Sequence, residues 1–246
     1  MKRTVERRSF VKLCAAAAAA AGANPALLAA AGDTARLYDR TALVDDYGAP
    51  IHAADLDVGR TYVFRYPYAT TPCFLLDLGR PVRAAAALST ETGDPYFWPG
   101  GVGEDRSVVA FAAICAHKMT HPAREVSFIN YRHGKVRFLD SGDRARERNG
   151  VIYCCSEKSV YDPADGARVL GGPAKQPLAT ILLQAEPETG ALYALGTIGG
   201  EMYDAYFDKF AFRLALEHRT SDIQRPAGAS SVVMDIETYS RTIMQC

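Results

Sequence analysis

The chain has 246 residues, 48% hydrophobic and 23% charged, enough to bury a sizeable core in one domain or in a base domain carrying an inserted module. Its 28 basic residues balance 28 acidic ones, but residues 1–31 hold five of the basic residues and one acid, so the remainder is weakly acidic, at 23 against 27. That balance excludes the basic stripe a phosphate-tracking nucleic-acid surface needs.

The N-terminal segment opens with basic residues, continues Arg7-Arg8-Ser9-Phe10-Val11-Lys12 and turns alanine-rich up to Gly32. This order is that of a secretory signal, and the Arg-Arg-x-Phe-x-Lys core looks like the twin-arginine type. Residues 1–31 are expected to be that signal or a retained anchor, giving an exported, periplasmic protein that meets the membrane only if the segment is kept. Residues 32–57, mixed and polar, are expected to be a linker. Beyond the signal lie Cys73, Cys115, Cys154, Cys155 and Cys246, an odd number that leaves at least one thiol free or metal-bound. Cys154 and Cys155 are neighbours, and adjacent cysteines rarely bridge each other. One ligand and one bystander is the expected use.

A β domain is expected over 58–200. Thr61–Tyr66 and Cys73–Leu78 are rich in β-branched and aromatic residues between Pro67, Pro72 and Gly79, the pattern of two strands, with Cys73 a small buried hydrophobe. Residues 90–106, with the only tryptophan, are expected to be a surface Gly/Pro loop. Ser107–Ile114 has the pattern of a fully buried strand, delivering Cys115 and His117 two residues apart and so on one side of an extended chain. Lys135–Leu139 is expected to be a strand, 140–149 a solvated loop, and Gly150–Tyr153 a strand leading into Cys154. Two further strands, within 179–183 and 191–196, form a hairpin. Apolar residues at Tyr203, Tyr206, Phe207, Phe210 and Leu214 recur at helical spacing, so one amphipathic helix opens the segment 201–246. The last 28 residues are expected to wrap the domain or a partner.

Two loops concentrate the chemistry: Cys115-Ala116-His117-Lys118-Met119-Thr120-His121-Pro122, and Cys154-Cys155-Ser156-Glu157-Lys158-Ser159-Val160-Tyr161. Together they resemble the boxes of the Rieske iron–sulfur family, in which each loop gives one thiolate and one imidazole to a [2Fe–2S] cluster. Gly171-Gly172-Pro173 to Pro177 resembles that family's Pro-rich cluster-covering loop. The resemblance covers roughly residues 107–180. It implies a mainly β protein of Rieske-like antiparallel sheets, a cluster-binding subdomain at about 105–180, and electron transfer with a redox partner protein or membrane respiratory complex. It also implies an electron-transfer subunit rather than a stand-alone catalyst.

The second box departs from the family pattern Cys-x-Cys-His-Gly-Ser-x-Tyr, since it contains no histidine. Anchoring on Ser159 and Tyr161 makes Cys154 the thiolate and places Glu157 at the histidine position and Lys158 at the glycine. Counting from the second cysteine makes Cys155 the thiolate and Lys158 the histidine's replacement. Both alignments stay open, with Cys155 slightly preferred because it is then spared the family's proline position. A carboxylate can bind iron, whereas a lysine must first lose a proton at a pKa of about 10.4. The resemblance makes Ser159 and Tyr161 donors to the cluster sulfurs and thiolate, which raises the potential, whereas an anionic Glu157 lowers it. The family's loop-clamping cysteine falls at Thr120, so that bridge is absent. Two other readings use the same residues. One is a zinc-like mononuclear site from Cys115, His117, His121 and either Cys154 or Cys155. The other is a Rieske-fold module that has lost its cluster and serves as a structural or binding subunit.

Overall fold

The structure, a computed structural model, describes residues 34–82 and 86–246; the expected signal at 1–31 lies outside the described residues. Among those described, no helix is long and apolar enough to cross a membrane. The protein is mainly β with one long helix, as expected.

The main sheet has eight strands, in the order Ser230–Val232, Ala35–Val44, Leu192–Ile198, Thr180–Ala185, Val108–Ala112, Pro72–Asp77, Tyr62–Arg65 and Met234–Asp235. Its first and last members are parts of one segment. Ser231 pairs in parallel with Leu43, Met234 pairs antiparallel with Val63, and the Val233 N–H donates to Val44 O at 2.8 Å between them. The segment 230–235 thus nearly closes the sheet into a barrel, satisfying both of its edges.

Both faces of the central strands are buried. Phe74, Leu76, Val109 and Phe111 enter one apolar cluster, while Cys73, Leu75, Val108 and Ala110 enter another, the two-residue alternation of a strand covered on both sides. That parity persists past the strand end. Ala113 and Cys115 join Phe111 in the first cluster, while Ala112 and Ile114 face Tyr203, Tyr206, Phe207 and Leu214 of the helix Tyr203–His218. The loop after Val108–Ala112 is therefore held between the helix and whatever packs on the first cluster.

What packs there is a smaller antiparallel sheet of four strands, Arg168–Gly171, Val160–Asp162, Val151–Cys154 and Ile129–Arg132. Ile129, Ile152, Cys154 and Tyr161 contribute its share of the core. The second cysteine loop is the connection between Val151–Cys154 and Val160–Asp162.

Three expectations need correction. Residues 35–44, read as linker, are a strand inside the main sheet; only three of its ten positions are buried, which gives it a polar composition. The stretch 90–106 is not a bare surface loop. Pro95–Trp98 pairs with Ala86–Ser89, and Trp98 is 1% exposed and stacked on Phe111 at 6.3 Å. The charged stretch 140–149 contains Ala145–Arg148, which pairs with Val136–Leu139; Asp140 and Glu147 each serve two basic residues on this hairpin. The C-terminal segment wraps the domain: after closing the sheet it runs in parallel with Val126–Ser127 and is joined to the second cysteine loop by a disulfide, Cys155–Cys246.

Candidate metal centre

The two cysteine loops close in the same way. The Cys115 carbonyl accepts from the N–H of Met119 at 2.9 Å, and the Cys115 N–H donates to the Thr120 carbonyl at 2.8 Å. In the second loop the Cys154 carbonyl accepts from Lys158 at 2.7 Å and its N–H donates to Ser159 at 2.9 Å. Each cysteine is thus bonded to the fourth and fifth residues after it, and each fourth residue is left-handed, Met119 at φ 62° and Lys158 at φ 61°. Such a conformation suits glycine and is strained for a side-chain-bearing residue. Lys158 accordingly stands where the first alignment puts the family's glycine.

This geometry matches the first of the two alignments. Cys154 is the counterpart of Cys115, and both thiols are free and fully buried. Cys155, the preferred ligand on sequence grounds, is bonded to Cys246 and has no thiolate to offer. Lys158 is solvent-exposed, and as a cationic side chain it carries no lone pair for a metal. Glu157, at the histidine position, is the residue that faces the first loop: its Oε2 lies 3.3 Å from His117 Nδ1 and 3.6 Å from Lys118 Nζ.

The thiols of Cys115 and Cys154 are neighbours that shift each other's ionisation. Cys115 is drawn down to about 6, first by the Cys154 thiol and then, against the opposing effect of burial, by the Tyr161 hydroxyl. Ionisation of Cys154 is pushed up by the Cys115 thiol and by burial. One negative charge therefore forms readily in this pocket and a second does not, unless a cation enters. Tyr161 Oη lies 3.2 Å from Cys115 Sγ and 3.1 Å from the Ala116 N–H, and burial raises its pKa, keeping it a donor to sulfur at neutral pH.

Ser159 is fully buried, and its Oγ, though it helps to draw the Cys115 thiol down, makes no aligned hydrogen bond. His117 Nδ1 is likewise buried and, despite its distance to Glu157, not aligned for a hydrogen bond. An orphaned hydroxyl costs about 1–3 kcal/mol. Both atoms suit a group that offers a sulfide acceptor to Ser159 and a metal to His117. Among the described residues no three His, Cys, Asp or Glu side chains converge as one metal-binding group. A binuclear cluster needs two pairs of ligands instead; Cys115 with Cys154, and His117 with Glu157, are the residues here that could supply them.

His121, the extra ligand of the zinc-like reading, is turned away into the helix. Its ring meets Tyr206 at 4.9 Å and Phe210 at 4.8 Å, and its Nδ1 lies 3.0 Å from the Met119 carbonyl. It braces the first loop, together with Lys209 Nζ, which donates to the Lys118 carbonyl at 2.8 Å. The Gly/Pro loop docks on the second box, where a Cβ on Gly172 (φ 79°) would meet Lys158 O at 2.2 Å and Ser159 Cα at 2.6 Å. Sequence reasoning missed Cys246 and Arg132, which contacts the disulfide. The odd cysteine count pointed to unsettled pairing, but nothing marked Arg132.

No family model matches the chain. Among solved structures it is similar to the soluble domain of the Rieske protein II (soxF) from Sulfolobus acidocaldarius. The identity is 23% and the TM-score 0.44, over 67% of this chain and 82% of that one.

Proposed function

We propose that the chain is an exported Rieske-type electron-transfer protein or redox-complex subunit. It would exchange electrons with a redox partner protein or a membrane respiratory complex. The observation that carries this reading is the convergence of Cys115 and Cys154 from two identically closed loops, with Ser159 and Tyr161 beside them.

Cys115 and Cys154 would hold one iron of a [2Fe–2S] cluster and His117 and Glu157 the other. When bound, such a cluster supplies one-electron transfer. The chain's own residues set the conditions. Tyr161 donates to Cys115 sulfur and Ser159 offers a second donor, both favouring the more negative, reduced form, while the Glu157 carboxylate opposes it. Burial of both thiols excludes water from the cysteine side, whereas the His117–Glu157 side stays partly open, the side an electron partner would approach.

A second reading, a cluster-free binding module, is favoured by one observation: the Glu157 carboxylate already lies within ion-pair distance of His117 and Lys118. Anaerobic isolation followed by reductive titration in the visible range separates the two. A coloured protein that bleaches on reduction and recovers on oxidation supports electron transfer. A colourless chain that takes up no iron and sulfide on reconstitution leaves the binding module. Export is tested separately by replacing Arg7 and Arg8 with lysine, which should leave precursor in the cytoplasm.

A further inference from the structure

We propose that the Cys155–Cys246 disulfide is a thiol–disulfide exchange site, opened by a dithiol that attacks Cys246 and assisted by Arg132. The proposal stands on geometry apart from the cluster and survives its absence.

The two sulfurs differ in access. Cys246 is exposed, whereas Cys155 is 9% exposed and belongs to a buried apolar cluster with Val151, Tyr153 and Val160. An incoming thiolate therefore reaches Cys246 and makes Cys155 the leaving sulfur. Arg132 waits at that sulfur. Its Nη2 is 3.3 Å from Cys155 Sγ and donates to the Met244 carbonyl at 2.6 Å, while its Nε is buried without a partner. Among the described residues no carboxylate lies within ion-pair distance of this guanidinium, in contrast to Arg137, Arg144, Arg146 and Arg148 on the neighbouring hairpin. The Met244 carbonyl gives this half-buried cation a hydrogen bond but no opposite charge, and its desolvation costs free energy. Negative charge on Cys155 would offset that cost.

The step balances as an ordinary exchange. The dithiol's first thiolate forms a bond to Cys246 Sγ, the Cys155–Cys246 bond breaks, and Cys155 leaves as a thiolate beside Arg132. The dithiol's second thiol then displaces Cys246. The dithiol ends as its own disulfide, oxidised by two electrons, and the protein ends as two reduced cysteines. Opening unfastens a tail otherwise held by the pairing of Thr242–Ile243 with Val126–Ser127 and by the Met244 N–H on Ser127 O at 2.9 Å. It also frees the residue next to Cys154, so the state of the latch is felt in the second cysteine loop.

The test equilibrates the full-length protein in buffers of reduced and oxidised dithiothreitol, traps thiols with iodoacetamide and reads each cysteine by mass spectrometry. Cys155 and Cys246 should become labelled together while Cys73, Cys115 and Cys154 remain protected. Arg132→Met should disfavour opening about tenfold, or about 30 mV for a two-electron couple, and Arg132→Lys should restore most of it. The sign is informative, since loss of packing alone would make the bond easier to reduce. Opening of Arg132→Met that equals or exceeds wild type overturns the proposal. So does a wild-type disulfide that resists reduction until the fold is lost, a result that requires no variant.

Discussion

Cys115 and Cys154 hold equivalent positions in two loops that come from different sheets, and both thiols are free and fully buried. One loop is the continuation of a buried barrel strand, the other the turn of the small sheet, and the first core cluster joins them. From this relationship the first test follows. Glu157→His places an imidazole where the second loop faces His117, and should raise iron content after anaerobic reconstitution. Lys158→His puts it on an exposed, left-handed residue and should leave iron content unchanged. Iron analysis of the two variants side by side checks this; a gain at Lys158→His would reverse the alignment.

The Cys155–Cys246 bond closes a loop across a sequence separation of 91. A chain-entropy argument gives such a crosslink up to about 4–5 kcal/mol, and measured values are commonly smaller. The double variant Cys155→Ser, Cys246→Ser should therefore unfold at a markedly lower temperature, by calorimetry, yet retain whatever iron the wild type holds. Iron lost in that variant while its fold persists at the assay temperature would return Cys155 to the ligand set.

Gly172 brings the Gly/Pro loop against the backbone of Lys158 and Ser159. Gly172→Ala must both adopt a left-handed conformation and displace that contact, at a cost of about 1–3 kcal/mol. The expected outcome is lower thermal stability together with weaker iron retention under chelator challenge. Gly93→Ala, also left-handed but in open space, should lower stability by the smaller conformational cost and leave iron retention alone.

His218 and His121 are held neutral by burial, His218 down to about 4 and His121 in the same direction. A depressed histidine pKa means the unfolded chain takes up protons first, so this stabilisation is present above about pH 6.5 and is lost as pH falls towards 4. Glu217 draws protons to His218 while Arg65, Arg124 and His121 oppose them. Because His218 is partly open to solvent, its share is about 1–2 kcal/mol rather than the full shift. Melting temperatures at pH 7 and pH 4.5 should fall less in His218→Asn than in wild type. Equal falls in both would remove the histidine from the acid response.

Much of this architecture was legible in the residues. The Val108–Ala112 strand, the hairpin of Thr180–Ala185 and Leu192–Ile198 and the Tyr203–His218 helix follow from runs whose periodicity the core enforces. Cys115, His117, Ser159 and Tyr161 were marked by the resemblance of the two loops to the Rieske boxes. What stayed hidden depends on distant partners. Residues 35–44 look polar because only part of the strand is covered, and Trp98 looks like a loop residue because its burial comes from Phe111. Cys155 looked like a ligand because its partner lies at the far end of the chain. The likeness of the Cys154 loop to the Cys115 loop lies in backbone conformation, a left-handed Lys158 matching a left-handed Met119, which composition does not reveal.

The central claim, that Cys115 and Cys154 are ligands of an iron–sulfur cluster, is tested most directly by metal and sulfide analysis of anaerobically purified wild type beside Cys154→Ser. The account predicts about two irons and two acid-labile sulfides per wild-type chain and close to none in the variant. Wild-type protein without iron after reconstitution, or equal iron in both proteins, would contradict it.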